Sequence, residues 1–177
     1  MSPEQLSGTL VWQRACDLAA RRHQHQRRDN GLTPYVSHPM RVALTLSAIF
    51  GVNDERILAA ALMHDLIEDT TVDYDELAEH FDPEIAGWVS AMSKDMRMEH
   101  DAREAAYDAQ LAAAAWPARL IKLGDVFDNL SDATGDKIES CIEKAHRAIA
   151  LAGDELELQT AVTHLKERIA SVESRAS

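Results

Sequence analysis

Ala59-Ala60-Ala61-Leu62-Met63-His64-Asp65-Leu66-Ile67-Glu68-Asp69-Thr70 is the segment around which this 177-residue chain is organised. Its alanines, leucines and isoleucine suit a buried helix, yet it also holds one imidazole and three carboxylates, which are costly to bury without partners. On an α-helix His64 and Glu68 lie four residues apart, as do Asp65 and Asp69. The two pairs form neighbouring stripes and leave Leu62, Leu66 and the alanines to the core. A neutral imidazole beside an ionised carboxylate is a good start on a site for a divalent metal. The spacing predicts metal chemistry built into a core helix over residues 57–67. An adjacent His-Asp pair is also common by chance, and a histidine on a half-apolar face is more often a hydrogen-bonded core residue than a ligand. The rest of the chain has to decide between them.

Composition narrows the class. The chain is 46% hydrophobic with only 7 Gly and 5 Pro, many alanines and few β-branched runs, which predicts an all-α fold. Its length suits one domain spanning residues 1–177 with a sizeable core. A net charge of -12 repels nucleic-acid backbones and anionic membranes, so no nucleic acid and no membrane are expected as partners, and a phosphate-bearing ligand requires a local basic pocket. Cys16 and Cys141 form no Cys-x-x-Cys pair and sit among helical residues, so both are expected as free thiols in a reducing compartment. Met-Ser-Pro-Glu-Gln-Leu-Ser-Gly-Thr-Leu at the N-terminus shows no basic region followed by an apolar core. No apolar run approaches the roughly 20 residues of a membrane span. A cytoplasmic, soluble protein is the expectation.

Outward from the central stretch, Val11, Ala15, Leu18 and Ala19 mark an amphipathic helix over residues 10–25, ending in the basic run that includes Arg21, Arg22, Arg27 and Arg28. A turn follows, Asp29-Asn30-Gly31-Leu32-Thr33-Pro34, and then Tyr35-Val36-Ser37-His38-Pro39. Ser37 is read as an N-cap and Pro39 as a first-turn residue, so His38 sits at a helix start, where a side chain can face a cleft. Asp54 caps the central helix. A helix starts again within residues 70–77, and another over residues 83–93 buries Ile85, Trp88, Val89 and Met92. Residues 93–103 are polar and nearly aperiodic, a loop able to offer Lys94 or Arg97 to a bound anion. An alanine-rich helix runs to Trp116. Pro117 then starts a helix containing Arg119-Leu-Ile-Lys122-Leu-Gly-Asp125-Val-Phe-Asp128-Asn129-Leu, where Asp125 and Asn129 share a face and a buried carboxylate again calls for a cation. Residues 137–172 read as two helices separated near Ala152-Gly153-Asp154.

The set His38, His64-Asp65 and Asp125 resembles the metal-binding pattern of HD-domain phosphohydrolases, in which a histidine, an adjacent His-Asp and a distant aspartate bind one ion. The flanking words are similar to the hydrolase domain of the RelA/SpoT family and its stand-alone small alarmone hydrolases: His23-x-x-Gln26-x-Arg28, Thr33-Pro34-Tyr35-x-x-His38-Pro39, His64-Asp65-x-x-Glu68-Asp69-Thr70 and Lys122-Leu-Gly-Asp125-x-x-x-Asn129-Leu. The likeness covers about residues 10–132. It implies a helical HD-domain fold, a small guanine nucleotide as substrate and a metal-dependent removal of the 3′-diphosphate from guanosine tetra- and pentaphosphate, with Mn2+ as the usual ion. By the same resemblance, His38, His64, Asp65 and Asp125 hold the metal, Glu68 and Asp69 position and deprotonate the attacking water, and Arg28, Tyr35, Lys94 and Asn129 bind substrate. Asp29 and Val126 depart from it, standing where relatives often place a basic residue. An HD phosphohydrolase acting on another nucleotide phosphate, such as NADPH or a nucleoside monophosphate, is the nearest alternative. A metal-free nucleotide-binding module has no need of both Glu68 and Asp69. Homo-oligomerisation stays open.

Overall fold

A computed structural model describes residues 10–176; the N-terminal segment read above for a leader, residues 1–9, lies outside them. In chain order the helices are α1 (Val11–Arg22), α2 (Ser37–Ala48), α3 (Glu55–Met63), α4 (Leu66–Asp69), α5 (Tyr74–His80), α6 (Pro83–Ala91), α7 (His100–Ala113), α8 (Trp116–Asp132), α9 (Lys137–Ala152) and α10 (Gln159–Ala176), with one 3-10 turn at Leu156–Leu158. Extended pairing among the described residues is confined to an isolated bridge between Arg27 and Pro34, so the all-α expectation holds.

The helix expected over residues 57–67 is interrupted. It ends at Met63, His64 and Asp65 form a turn, and α4 resumes at Leu66. The cause is local. The Ala61 carbonyl, which a continuous helix would give to the Asp65 amide, accepts the ring N–H of His64 Nδ1 at 2.9 Å. Helical periodicity cannot reveal such a break, because the competing donor is a side chain. A second difference lies at α2. Ser37 is its first residue rather than its cap, Val36 is already helical, and the Ser37 hydroxyl has no partner. The turn is closed earlier by backbone, Ser37 N–H to Pro34 O and His38 N–H to Tyr35 O.

Elsewhere the local chemistry acts as its residues suggest. Asp54, Asp73 and Asp82 accept first-turn amides of α3, α5 and α6, each contributing about 1 kcal/mol. Gly153, at φ 56°, ends α9 where an L side chain would be strained. The helix after the polar loop begins at His100, a few residues inside the stretch read as irregular. Cys16 and Cys141 are unpaired. Among the described residues no helix is long and apolar enough to cross a membrane.

Two helices form the centre. Ala59, Ala60 and Ala61 are fully buried, and these small side chains let α3 lie close against α1, α2 and α6. Helix α8 is buried nearly all round, as a helix apolar on every side must be, and packs on α2, α9 and α10. Its contact with α2 closes at Gly124, where an added Cβ would meet Leu46 Cδ2 at 3.1 Å and Val42 Cγ1 at 3.3 Å. Val42 and Leu46 are both fully buried and cannot easily retreat. Gly124→Val is therefore expected to lower unfolding stability by about 2 kcal/mol, the overpacking cost outweighing the roughly 0.4 kcal/mol of helix propensity that valine gains over glycine. A urea midpoint equal to that of the unsubstituted protein would show that α2 and α8 can part freely. The contact matters for function because His38 and Asp125 are carried on these two helices.

Candidate metal centre

The interruption between α3 and α4 turns two adjacent side chains inward together. His64 spends Nδ1–H on Ala61 O, which leaves the Nε2 lone pair free, and that atom is buried with no hydrogen-bond partner. Asp65 Oδ1 lies 3.0 Å from it. From the first turn of α2, His38 donates Nδ1–H to Asp128 Oδ2 at 2.6 Å and brings Nε2 to 3.7 Å from Asp65 Oδ2. One donor atom from each of His38, His64 and Asp65 lies within 4.8 Å of the others. From α8, Asp125 Oδ1 comes to 3.2 Å from His38 Nε2 and 3.9 Å from His64 Nε2. Four side chains from three regions of the chain thus converge.

Charge accounting shows what the cluster lacks. Asp128 is matched by Arg41, which donates Nε–H to Oδ1 at 2.7 Å and Nη2–H to Oδ2 at 2.9 Å. Asp125 is matched by Lys122 at 2.8 Å. Asp65 has no fixed cation among the described residues; it accepts the Tyr35 hydroxyl at 2.6 Å and faces the two imidazoles. Burial opposes charge on His38, yet Asp125, Asp128 and Asp65 outweigh it and hold the imidazole up at about 9. Burial likewise disfavours the ionised form of Asp65, but the His64 and His38 side chains pull its carboxyl below the usual range. The cluster is electron-rich and buried, and the proton kept on His38 is the positive charge that a divalent ion would replace. Two imidazole nitrogens and carboxylate oxygens are borderline-to-hard donors that fit a divalent ion, and an unpartnered buried Nε2 is what such a ligand looks like.

Glu68 and Asp69 lie one turn beyond Asp65, with Asp69 N–H donating to Asp65 O at 2.9 Å. They are not equivalent. Glu68 is half-buried, accepts the Lys94 backbone N–H at 2.8 Å, and is raised by burial. Asp69 is raised by burial and then by Asp65, and it borders a second hollow of about 690 Å³ shared with Gln26 and Thr70.

The substrate-binding expectations divide. Arg28, Lys94 and Asn129 line a cavity of about 1020 Å³ together with Asp125. Arg28 is steadied by Asn129 Oδ1 and Asp132 Oδ2, each at 3.2 Å, with its guanidinium 5.9 Å from the Tyr35 ring centre. The Lys94 ammonium is turned to Glu104 at 2.6 Å, so its main-chain amide rather than its charge reaches toward α4. Tyr35 points its hydroxyl at Asp65 rather than into this cavity.

The sequence model of the HD domain family matches residues 15–150. The chain belongs to the HD-domain family. A Drosophila melanogaster relative named guanosine-3′,5′-bis(diphosphate) 3′-pyrophosphohydrolase MESH1 is 38% identical to this HD-domain protein over 115 residues, 64% of each chain. The human protein of the same name is 33% identical over 161 residues, 85% of this chain and 90% of its own. A solved structure described as a metazoan ortholog of SpoT that hydrolyzes ppGpp shares the fold with a TM-score of 0.76 at 28% identity, covering 90% of this chain and 96% of that one. Within the HD-domain family, these relatives place the chain with hydrolases of the RelA/SpoT type.

Asp128 and Arg41 carry no role in the sequence reading, although a signal was present. His38 and Arg41 are three apart on α2, Asp125 and Asp128 three apart on α8, and two such pairs face each other only once the helices pack. In an HD-domain site Asp128 is the carboxylate that fixes the His38 tautomer and ring angle. Asp128→Asn is expected to weaken divalent-ion affinity roughly tenfold, measured by titrating Mn2+ into metal-stripped protein. Unchanged affinity would mean that His38 is held by packing alone.

Proposed function

We propose that this HD-domain protein removes the 3′-diphosphate from guanosine tetra- and pentaphosphate, releasing pyrophosphate and GDP or GTP, with manganese as its divalent ion, in the cytoplasm. The supporting observation is the convergence of His64 Nε2, which is buried without a hydrogen-bond partner, with His38 Nε2 and with Asp65, which has no lysine or arginine partner among the described residues. The names of the fruit-fly and human relatives point to the same chemistry.

In this reading His38, His64, Asp65 and Asp125 hold the ion. When bound, a divalent ion lowers the pKa of coordinated water and offsets phosphate charge. Glu68, raised by burial and held by the Lys94 amide, takes the proton of the attacking water. Asp69 orients that water from one residue further along α4. Arg28, whose Nη2 donates to Asn129 and Asp132, lies against the purine, and Asn129 is placed to reach the ribose. Tyr35 keeps Asp65 in its ligating pose.

The test is a substrate panel. Manganese-loaded protein is incubated with guanosine tetraphosphate, NADPH and deoxynucleoside monophosphates, and products are separated by chromatography. Pyrophosphate and GDP from the first are expected. Phosphate release from either of the others, with no pyrophosphate from the first, would overturn the alarmone assignment while keeping the hydrolase.

A further inference from the structure

His23 and Gln26 share a sequence word with Arg28, yet the metal centre and the main cavity leave both without a task. His23 follows directly on α1, its N–H donating to Ala19 O, and the next turn is closed by Gln26 N–H to His23 O at 3.0 Å. The imidazole is 1% exposed. A ring buried so fully costs free energy unless both nitrogens are satisfied. Nδ1 lies 2.5 Å from Gln26 Oε1, whereas Nε2 is buried with no hydrogen-bond partner. His64 Nε2 is in the same condition and has an ion to account for it; His23 lies outside the group that could share that ion.

Gln26 decides which ring nitrogen carries the proton. Its Nε2 donates to the Asp69 main-chain carbonyl at 2.7 Å, one of the oxygens that the end of α4 leaves without a helical partner. A carbonyl only accepts, so the amide nitrogen faces Asp69 and the amide oxygen faces His23. Nδ1 is therefore the donor, and in the neutral ring Nε2 holds a lone pair. The same glutamine ties the two ends of α4 together. Gln26 O accepts the Tyr35 N–H at 3.0 Å, and the Tyr35 hydroxyl reaches Asp65 at 2.6 Å. The Tyr35 and His23 rings lie 4.9 Å apart, centre to centre. His23 thus backs both the Asp65 end and the Asp69 end of the helix.

Asp69 feels this imidazole. Burial and then Asp65 raise its carboxyl, while Tyr35 and then His23 hold it back. A ring lone pair and a carboxylate are both acceptors and cannot bond to each other, but one water offers an O–H to each. We propose that His23 is a positioning residue for the hydrolysis: through Gln26 it fixes the carbonyl end of α4, and its Nε2 takes one O–H of a water whose other O–H goes to the Asp69 carboxylate. Asp69 then keeps a single orientation toward the attacking water. This deepens the hydrolase reading above and rests on it. The Asp69 side chain, more exposed than Glu68 and bordering the second hollow with Gln26, would otherwise be free to turn outward.

The experiment is a double-mutant cycle on the manganese-loaded protein, with pyrophosphate release from guanosine tetraphosphate measured for wild type, His23→Asn, Asp69→Asn and the double variant. Asparagine supplies an amide N–H for Gln26 in place of Nδ1–H and nothing in place of Nε2. His23→Asn is expected to lower kcat about tenfold, the loss of one hydrogen bond in a chain that ends on a charged group, with KM and Mn2+ affinity unchanged. In the Asp69→Asn background the same substitution should cost less than about twofold, because its effect passes through Asp69. Equal losses in the two backgrounds would show that His23 acts through packing and overturn the proposal, as would a wild-type kcat in His23→Asn. Gln26→Met covers the case of a His23 variant that does not fold. It replaces a half-buried side chain by one of similar length, removes the bond to the Asp69 carbonyl, and should lower kcat only while Asp69 is present; a loss independent of Asp69 overturns the proposal. If wild type releases no pyrophosphate, the hydrolase reading falls and this inference falls with it.

Discussion

Asp65→Ala is expected to lose the bound ion and turnover together, with kcat/KM falling by about 10³-fold or more. The magnitude follows from charge. Asp128 and Asp125 already have Arg41 and Lys122 as partners, so Asp65 is the carboxylate whose charge is left for a divalent ion. Its Oδ1 is also the carboxylate oxygen nearest His64 Nε2, at 3.0 Å against 3.9 Å for Asp125, and its Oδ2 lies 3.7 Å from His38 Nε2. Without it, two neutral nitrogens and a lysine-paired aspartate remain, a donor set with little net charge to hold a hard cation. Metal content of protein purified without chelator, measured beside pyrophosphate release, checks both halves of the prediction. A variant that retains one ion per chain at wild-type affinity while losing turnover would move Asp65 from metal ligand to water handling.

Glu68→Gln should give the opposite pattern, an intact metal site with turnover reduced by about 10²- to 10⁴-fold, the usual contribution of a positioned general base. Glutamine keeps an oxygen to accept the Lys94 amide, at 2.8 Å in the native carboxylate, and preserves the side-chain volume, so the local fold is retained. What it lacks is a basic oxygen. Burial raises the Glu68 carboxyl, which moves its basicity toward the working pH and makes the loss of that oxygen costly. Loss of metal from Glu68→Gln would identify Glu68 as a ligand. Asp69, more exposed and bordering the second hollow, should tolerate the corresponding Asn substitution with a smaller effect.

The two variants also separate what was readable in the primary structure from what was not. The helical class, the cap at Asp54 and the break at Gly153 were legible because each depends on a few neighbouring residues. His38, His64, Asp65 and Asp125 were legible as chemistry because imidazoles and carboxylates in apolar helices need a reason to be there. The turn at His64-Asp65 was not, since a ring nitrogen displaces a main-chain donor without changing the apolar period. Nor was the burial of Asp128, a residue like any other helical aspartate until Arg41 and His38 close on it from α2.

Residue order along this polymer thus dictated which groups could bind an ion and on which helices they ride, through propensity, capping and the energetic awkwardness of buried charge. Packing of α2 against α8 at Gly124 settled which of the many acids meet the two imidazoles, which are neutralised by Arg41 and Lys122, and which one remains for a metal. Coulomb energies depend on distances of a few ångströms between residues as far apart in the chain as His38 and Asp128, separated by 90 positions, and such distances exist only after the chain has folded.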